Sequence, residues 1–172
     1  MGEEVEQQEF SREDRTRYRE KVRRCLDVFA RMLRESRFDA DYPMTGLEIE
    51  LNLVDAAGDP ALKNVEALEA IADPDFQTEL GQFNLEINVP PKQLKDRGFT
   101  DFEEGVRRSL NEAGAKADQV GAHMVMIGIL PTLSAGHMSP SSLSSNPRYQ
   151  LLSEDGERCP SSRVGRIPII AR

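Results

Sequence analysis

Apolar residues recur along this chain with two different periods. Between residues 11 and 36, Tyr18, Val22, Cys25, Phe29 and Leu33 fall at helical spacing, which predicts an amphipathic helix. Ser11 with Asp14 three positions later supplies a capping box at its start. The stretch "GLEIELNLVD" then switches to a period of two: Leu47, Ile49, Leu51 and Leu53 share one face, and Glu48 and Glu50 fall on the other. That is a strand with one buried face, ended by the turn residues of "DAAGDP". Residues 64 to 72 predict a short helix capped by Asn64 and stopped before Pro74. The period of two returns in "FNLEINVPP", with Phe83, Leu85, Ile87 and Val89 on one side, Asn84, Glu86 and Asn88 on the other, and Pro90 and Pro91 as the stop. A helix over 101–120, opened by Thr100 and Glu103, buries Phe102, Val106, Leu110, Ala113, Ala117 and Val120. A third strand, "HMVMIGIL", follows.

Beyond that strand the pattern weakens. Residues 131–147 are rich in Ser, Pro and Gly and predict a loop or lid, after which Arg148, Tyr149 and Leu151 open a further helix. From Ser153 onward no period is sustained. The expected organisation is one folded unit over residues 1–152 and an irregular, disordered tail over 153–172.

Length and charge narrow the possibilities. A chain of 172 residues with 38% hydrophobic content suits one domain. The net charge of −8 repels phosphate backbones, which argues against a nucleic-acid partner. No apolar run is long enough to span a membrane, and the acidic opening "MGEEVEQQEF" lacks the features of a secretory signal; a cytoplasmic location is expected. Cys25 and Cys159 have no metal-ligand spacing and read as reduced thiols, Cys25 within the core.

The carboxylates are the chemically informative feature. If the two longer strands pair, Glu48, Glu50 and Glu86 converge on one face, and Glu79, seven residues before Glu86, joins them through a bend at Gly81. Two ionised carboxylates ~5 Å apart repel by about 3 kcal/mol at an effective dielectric near 20. A cluster must therefore take up protons, pair with arginines or bind cations. Oxygen ligands without a Cys pair or a His-x-x-x-His spacing favour Mg²⁺ or Mn²⁺ over Zn²⁺. The competing reading is a half-exposed sheet whose glutamates simply face water.

Four segments in order, "GLEIELNLVD", "TELGQFNLEINVPP", "IGILPTL" and "NPRYQLL", together resemble the amino-terminal part of the glutamate–cysteine ligase family and the related carboxylate–amine ligases, especially actinobacterial-type members. The resemblance covers roughly residues 12–152. It implies an α+β fold, a partial glutamine-synthetase-like curved and mostly antiparallel sheet backed by helices. It further implies an ATP-dependent ligase that joins the γ-carboxylate of glutamate to the amine of cysteine through a γ-glutamyl phosphate. The family's metal ligands carry over to Glu48, Glu50, Glu79 and Glu86, and Arg148 of "RY" to a substrate-binding position.

Family members continue with a metal-binding His that has no counterpart here, since His123 sits on a strand pattern and His137 in the serine-rich loop. The chain is thus expected to be an amino-terminal portion with weak or absent activity. Two alternatives stand beside this reading: a carboxylate–amine ligase with a different amine, and a non-catalytic truncated relative that binds Mg²⁺ or pairs with another chain through its incomplete sheet.

Overall fold

The computed structural model describes residues 9–38 and 41–149. The first helix, α1, spans Arg12–Arg34. Its capping box is complete: the Asp14 amide donates to Ser11 Oγ at 3.1 Å and the Ser11 amide donates to Asp14 Oδ2 at 3.0 Å. The sequence periodicity is correct here, but the burial it suggests is not. No residue of α1 is buried, and Cys25 is exposed rather than in the core. The ring of Phe29 meets Phe38 edge-on, with centroids 6.3 Å apart.

Four antiparallel strands follow, β1 (Met44–Val54), β2 (Phe76–Thr78), β3 (Asn84–Gln93) and β4 (His123–Val125), in the sheet order β2-β3-β1-β4. The pairing of β1 with β3 sets Ile49 opposite Ile87 and Leu51 opposite Leu85. Because side chains alternate across a strand, the same register places Glu50 opposite Glu86 on the other face. Pro90 and Pro91 do not end β3, which runs on to pair Lys92 and Gln93 with Thr45 and Met44. The prolines are tolerated because β2 pairs only as far as Ile87, leaving this part of β3 at an edge, and because the register shifts between Thr45 and Leu47.

Helices α2 (Asn64–Ile71) and α3 (Gly98–Gln119) back the apolar face. Ala67 and Ile71 from α2 and Ala113 and Ala117 from α3 pack with Leu51, Leu53, Phe76, Leu85 and Ile87 in one core. The small alanines let the helices approach the sheet closely. Two expected caps do not form: α2 is capped at Lys63 with no side-chain bond, and α3 begins before Thr100, after Arg97. Asn64 is instead buried, its amide turned inward.

The third strand is shorter than its apolar run. β4 stops at Val125, where its pairing with Asn52 ends, and Met126, Ile127 and Ile129 are exposed. Asn52 Nδ2 takes over by donating to the Ile127 carbonyl at 3.1 Å. The serine-rich segment is also more ordered than a free lid. It holds two 3-10 turns, Ala135–Met138 and Pro140–Ser142, and buries Ser142 and Ser144. Residues 147–149 are helical, as expected of Arg148 and Tyr149. Leu151 and the tail over 153–172, which includes Cys159, lie outside the described residues.

Candidate active site

The sheet has one face closed by α2 and α3 and an opposite face that carries its polar side chains. Along β1 that second face presents Glu48, Glu50 and Asn52, and along β3 it presents Asn84, Glu86 and Asn88, paired as Glu48–Asn88, Glu50–Glu86 and Asn52–Asn84. Two carboxylates thus stand directly opposite each other, flanked by carboxamides. β2 adds Gln77 opposite Glu86 from the other side.

Glu79 follows β2 immediately and is half-buried. Its carboxyl is held above the usual range, first by burial and then by the negative charges of Glu86 and Glu50; the Leu80 amide and Arg148 act in the opposite direction. Glu50, Glu79, Glu86 and Arg148 therefore share one electrostatic neighbourhood, although Arg148 is some sixty residues further along the chain. The bend that brings Glu79 there depends on Gly81. A Cβ at that position would lie 2.7 Å from Asn84 Oδ1 and 2.9 Å from the Phe83 ring, so any other residue there would force those side chains to shift.

Glu48 lies apart from this group. It shares the face and, like Glu50, is exposed, but it opposes Asn88 and lines a separate cleft with Asp75, Pro90 and Pro91. Glu86 accepts a hydrogen bond of 2.9 Å from Asn88 Nδ2, so Asn88 bridges the two regions. Next to Glu50 opens a cleft of about 530 Å³, floored by Asn52 and Asn84 and walled by residues 126–129. Asn84 Nδ2 donates to Asn52 Oδ1 at 3.0 Å. These carboxamides were legible in the alternation, yet their proximity to the carboxylates depends on strand register.

The two histidines have local partners. His123 Nδ1 lies 2.7 Å from Asp118 Oδ1, and His137 Nδ1 accepts from the Ser134 amide at 3.1 Å while its ring meets Phe83 edge-on.

Among the described residues no three His, Cys, Asp or Glu side chains gather closely enough to enclose a metal ion. The donor set nonetheless suits a hard cation, because Mg²⁺ is ordinarily held by one or two carboxylates plus substrate phosphates and water rather than by an all-protein cage. The facing pair of Glu50 and Glu86 has that chemistry.

The raised affinity of Glu79 for its proton has a consequence for stability. A carboxyl whose folded-state pKa exceeds its unfolded value stabilises the fold fully below the unfolded value, near 4.5, and that contribution is lost as pH rises through the folded value. Without divalent cations, Glu79→Gln is expected to be more stable than the parent at pH 7, the difference shrinking as pH falls toward 4.5. Urea denaturation across that interval measures it; a gap that widens on acidification contradicts the assignment.

Fold and site together define an α+β protein with an antiparallel sheet, backed by helices on one side and lined with acidic and amide side chains on the other. The chain belongs to the glutamate–cysteine ligase family 2 (GCS2), whose family model matches residues 44–166. The match begins at the first residue of β1, so α1 lies outside it. No curated protein and no solved structure matches the chain. Membership points to a ligase-type function with small-molecule substrates. No described helix is long and apolar enough to cross a membrane.

Proposed function

We propose that this chain carries the cation-binding sheet of an ATP-dependent ligase that joins the γ-carboxylate of glutamate to the amine of cysteine. The observation that carries this reading is the direct opposition of Glu50 and Glu86 on the uncovered sheet face, with Glu79 in the field of both. Such an arrangement is electrostatically unfavourable in isolation and becomes favourable beside a divalent cation.

In this reading Glu50 and Glu86, with Glu79 near them and Glu48 further along the same face, would hold Mg²⁺ or Mn²⁺, which would neutralise phosphate charge on ATP as a phosphoryl group approaches the negative γ-carboxylate of glutamate. β1 and β3 hold Glu48, Glu50 and Glu86 in fixed register, so little reorganisation of these three is needed when substrates bind. Arg148, within electrostatic reach of Glu79, meets a substrate carboxylate or phosphate. Displacement of phosphate from the γ-glutamyl phosphate by the amine of cysteine then yields the amide. The cleft walled by residues 126–129 lies next to Glu50 and offers room for part of a substrate.

The reading is tested by incubating the chain with glutamate, cysteine, ATP and Mg²⁺ and measuring γ-glutamylcysteine together with ADP. Formation of γ-glutamylcysteine with ADP is expected, with cysteine preferred over other amines. Equal or greater turnover with another amine would reassign the acceptor. A second reading rests on the exposed Met126, Ile127 and Ile129 beside the edge strand β4. It is a non-catalytic relative that pairs with another chain through that edge, and sedimentation velocity showing a dimer without any amide product favours it.

A further inference from the structure

Glu79 occupies a position that no strand secures, because β2 ends at Thr78 and β3 begins only at Asn84. Its backbone is fixed from elsewhere. Three consecutive carbonyls around it are taken by the serine-rich segment and the short helix after it: Thr78 O accepts from Tyr149 Oη at 3.0 Å, Glu79 O accepts from Ser144 Oγ, and Leu80 O accepts from the Ser144 amide at 2.9 Å. The Gln82 amide returns the pairing by donating to Ser142 O at 2.8 Å.

Ser144 is 2% exposed and its hydroxyl is fully committed. The hydrogen goes to Glu79 O, and the oxygen accepts from Asn64 Nδ2 at 2.8 Å. Asn64, 1% exposed, has Gly81 O and Asn84 O as further acceptors at 3.3 and 3.4 Å. One buried amide therefore ties α2, the Gly81 bend, the start of β3 and the serine-rich segment together. Arg148 lies on that segment between the two anchors, Ser144 and Tyr149.

We propose that Ser144, held by Asn64, is a positioning residue that sets Glu79 and Arg148 against each other, making residues 140–149 a fixed wall of the site rather than a swinging lid. The proposal rests on the reading of Glu79 and Arg148 as groups that handle the metal–nucleotide. Ser144 touches no substrate in this scheme; it acts by preventing rotation of the peptide that carries Glu79.

The test uses the full chain, with MgATP as the calorimetric probe and amide hydrogen exchange read in parallel. Ser144→Ala is expected to lower MgATP affinity by about tenfold and to accelerate exchange at the Ser144 and Gln82 amides. Ser144→Thr, which keeps the hydroxyl, is expected to restore most of that affinity. Combining Ser144→Ala with Glu79→Gln is expected to cost clearly less than the sum of the two single losses, since Ser144 acts in large part through Glu79. Should Ser144→Ala fail to fold, Tyr149→Phe removes the second anchor at a half-exposed position and is expected to show the same non-additive loss. Unchanged affinity despite faster exchange, or losses that simply add, overturns the positioning role. Failure of the parent chain to bind MgATP overturns the nucleotide reading itself, and unchanged exchange in Ser144→Ala separately overturns the clamp.

Discussion

Glu50→Ala and Glu86→Gln are each expected to weaken Mg²⁺-dependent ATP binding by about 100-fold or more, since removal even of a group behind a metal ligand costs 10–100-fold. The same substitutions are expected to leave the cation-free protein as stable as the parent or more so. The two effects have opposite signs for one reason. Glu50 and Glu86 are direct cross-strand partners, and such partners place their Cβ atoms ~5 Å apart. Like charges placed directly opposite each other across a strand pair are destabilising, so deleting one relieves the apo protein while removing half of the cation's cradle. Glu48→Ala is expected to weaken binding less, because Glu48 faces Asn88 across the sheet rather than a second carboxylate. Calorimetry with MgATP, paired with urea denaturation in EDTA, measures both sides. If either substitution leaves affinity unchanged, the carboxylate pair is only a solvated sheet face.

Leu85→Ala is expected to lower stability by about 2–5 kcal/mol, the range for emptying a buried leucine site. Leu85 is completely buried, opposes Leu51 on one side and Thr78 on the other, and belongs to the cluster formed with α2 and α3. The neighbours that would have to collapse into the vacated space include Ala67, Ala113 and Ala117, whose short side chains have little reach. Against a total stability of about 5–15 kcal/mol, the loss lowers Tm by roughly 10 °C for about 3 kcal/mol. Ile129→Ala is the control: Ile129 is 87% exposed, so a change within about 0.5 kcal/mol is expected. Thermal unfolding followed by circular dichroism distinguishes the two, and equal effects would place residue 129 in the core.

Much of this was legible before any coordinates. The Ser11–Asp14 box marked the start of α1 because its pattern is local, both partners lying within one helical turn. The alternation in β1 and β3 separated the leucine and isoleucine face from the carboxylate face because side-chain direction in a strand has a period of two. The less legible features involve long-range partners. Asn64 has a helix-capping side chain, yet its amide is spent on Ser144, eighty residues away, while Lys63 takes the cap position. Pro90 and Pro91 are stop signals in a central strand but not at an edge, and edge status depends on the length of β2. β2 itself has three residues, too few for its period to stand out.

Cys25 and Ile129 show the same limit from the apolar side. Both sit in runs whose period calls for a partner surface, and both are exposed.

By itself, the sequence determined the types of the longer elements, the division of each long strand into an apolar and an acidic face, and the ordered segments by which the family is recognised. Tertiary structure decided which apolar faces are covered, that Glu50 and not Glu48 faces Glu86, and that Arg148 comes within electrostatic reach of Glu79. The reason is physical. Periodicity arises from the geometry of neighbouring residues, whereas burial, register and electrostatic coupling depend on groups far apart in the chain that meet only once the sheet has closed its hydrogen bonds.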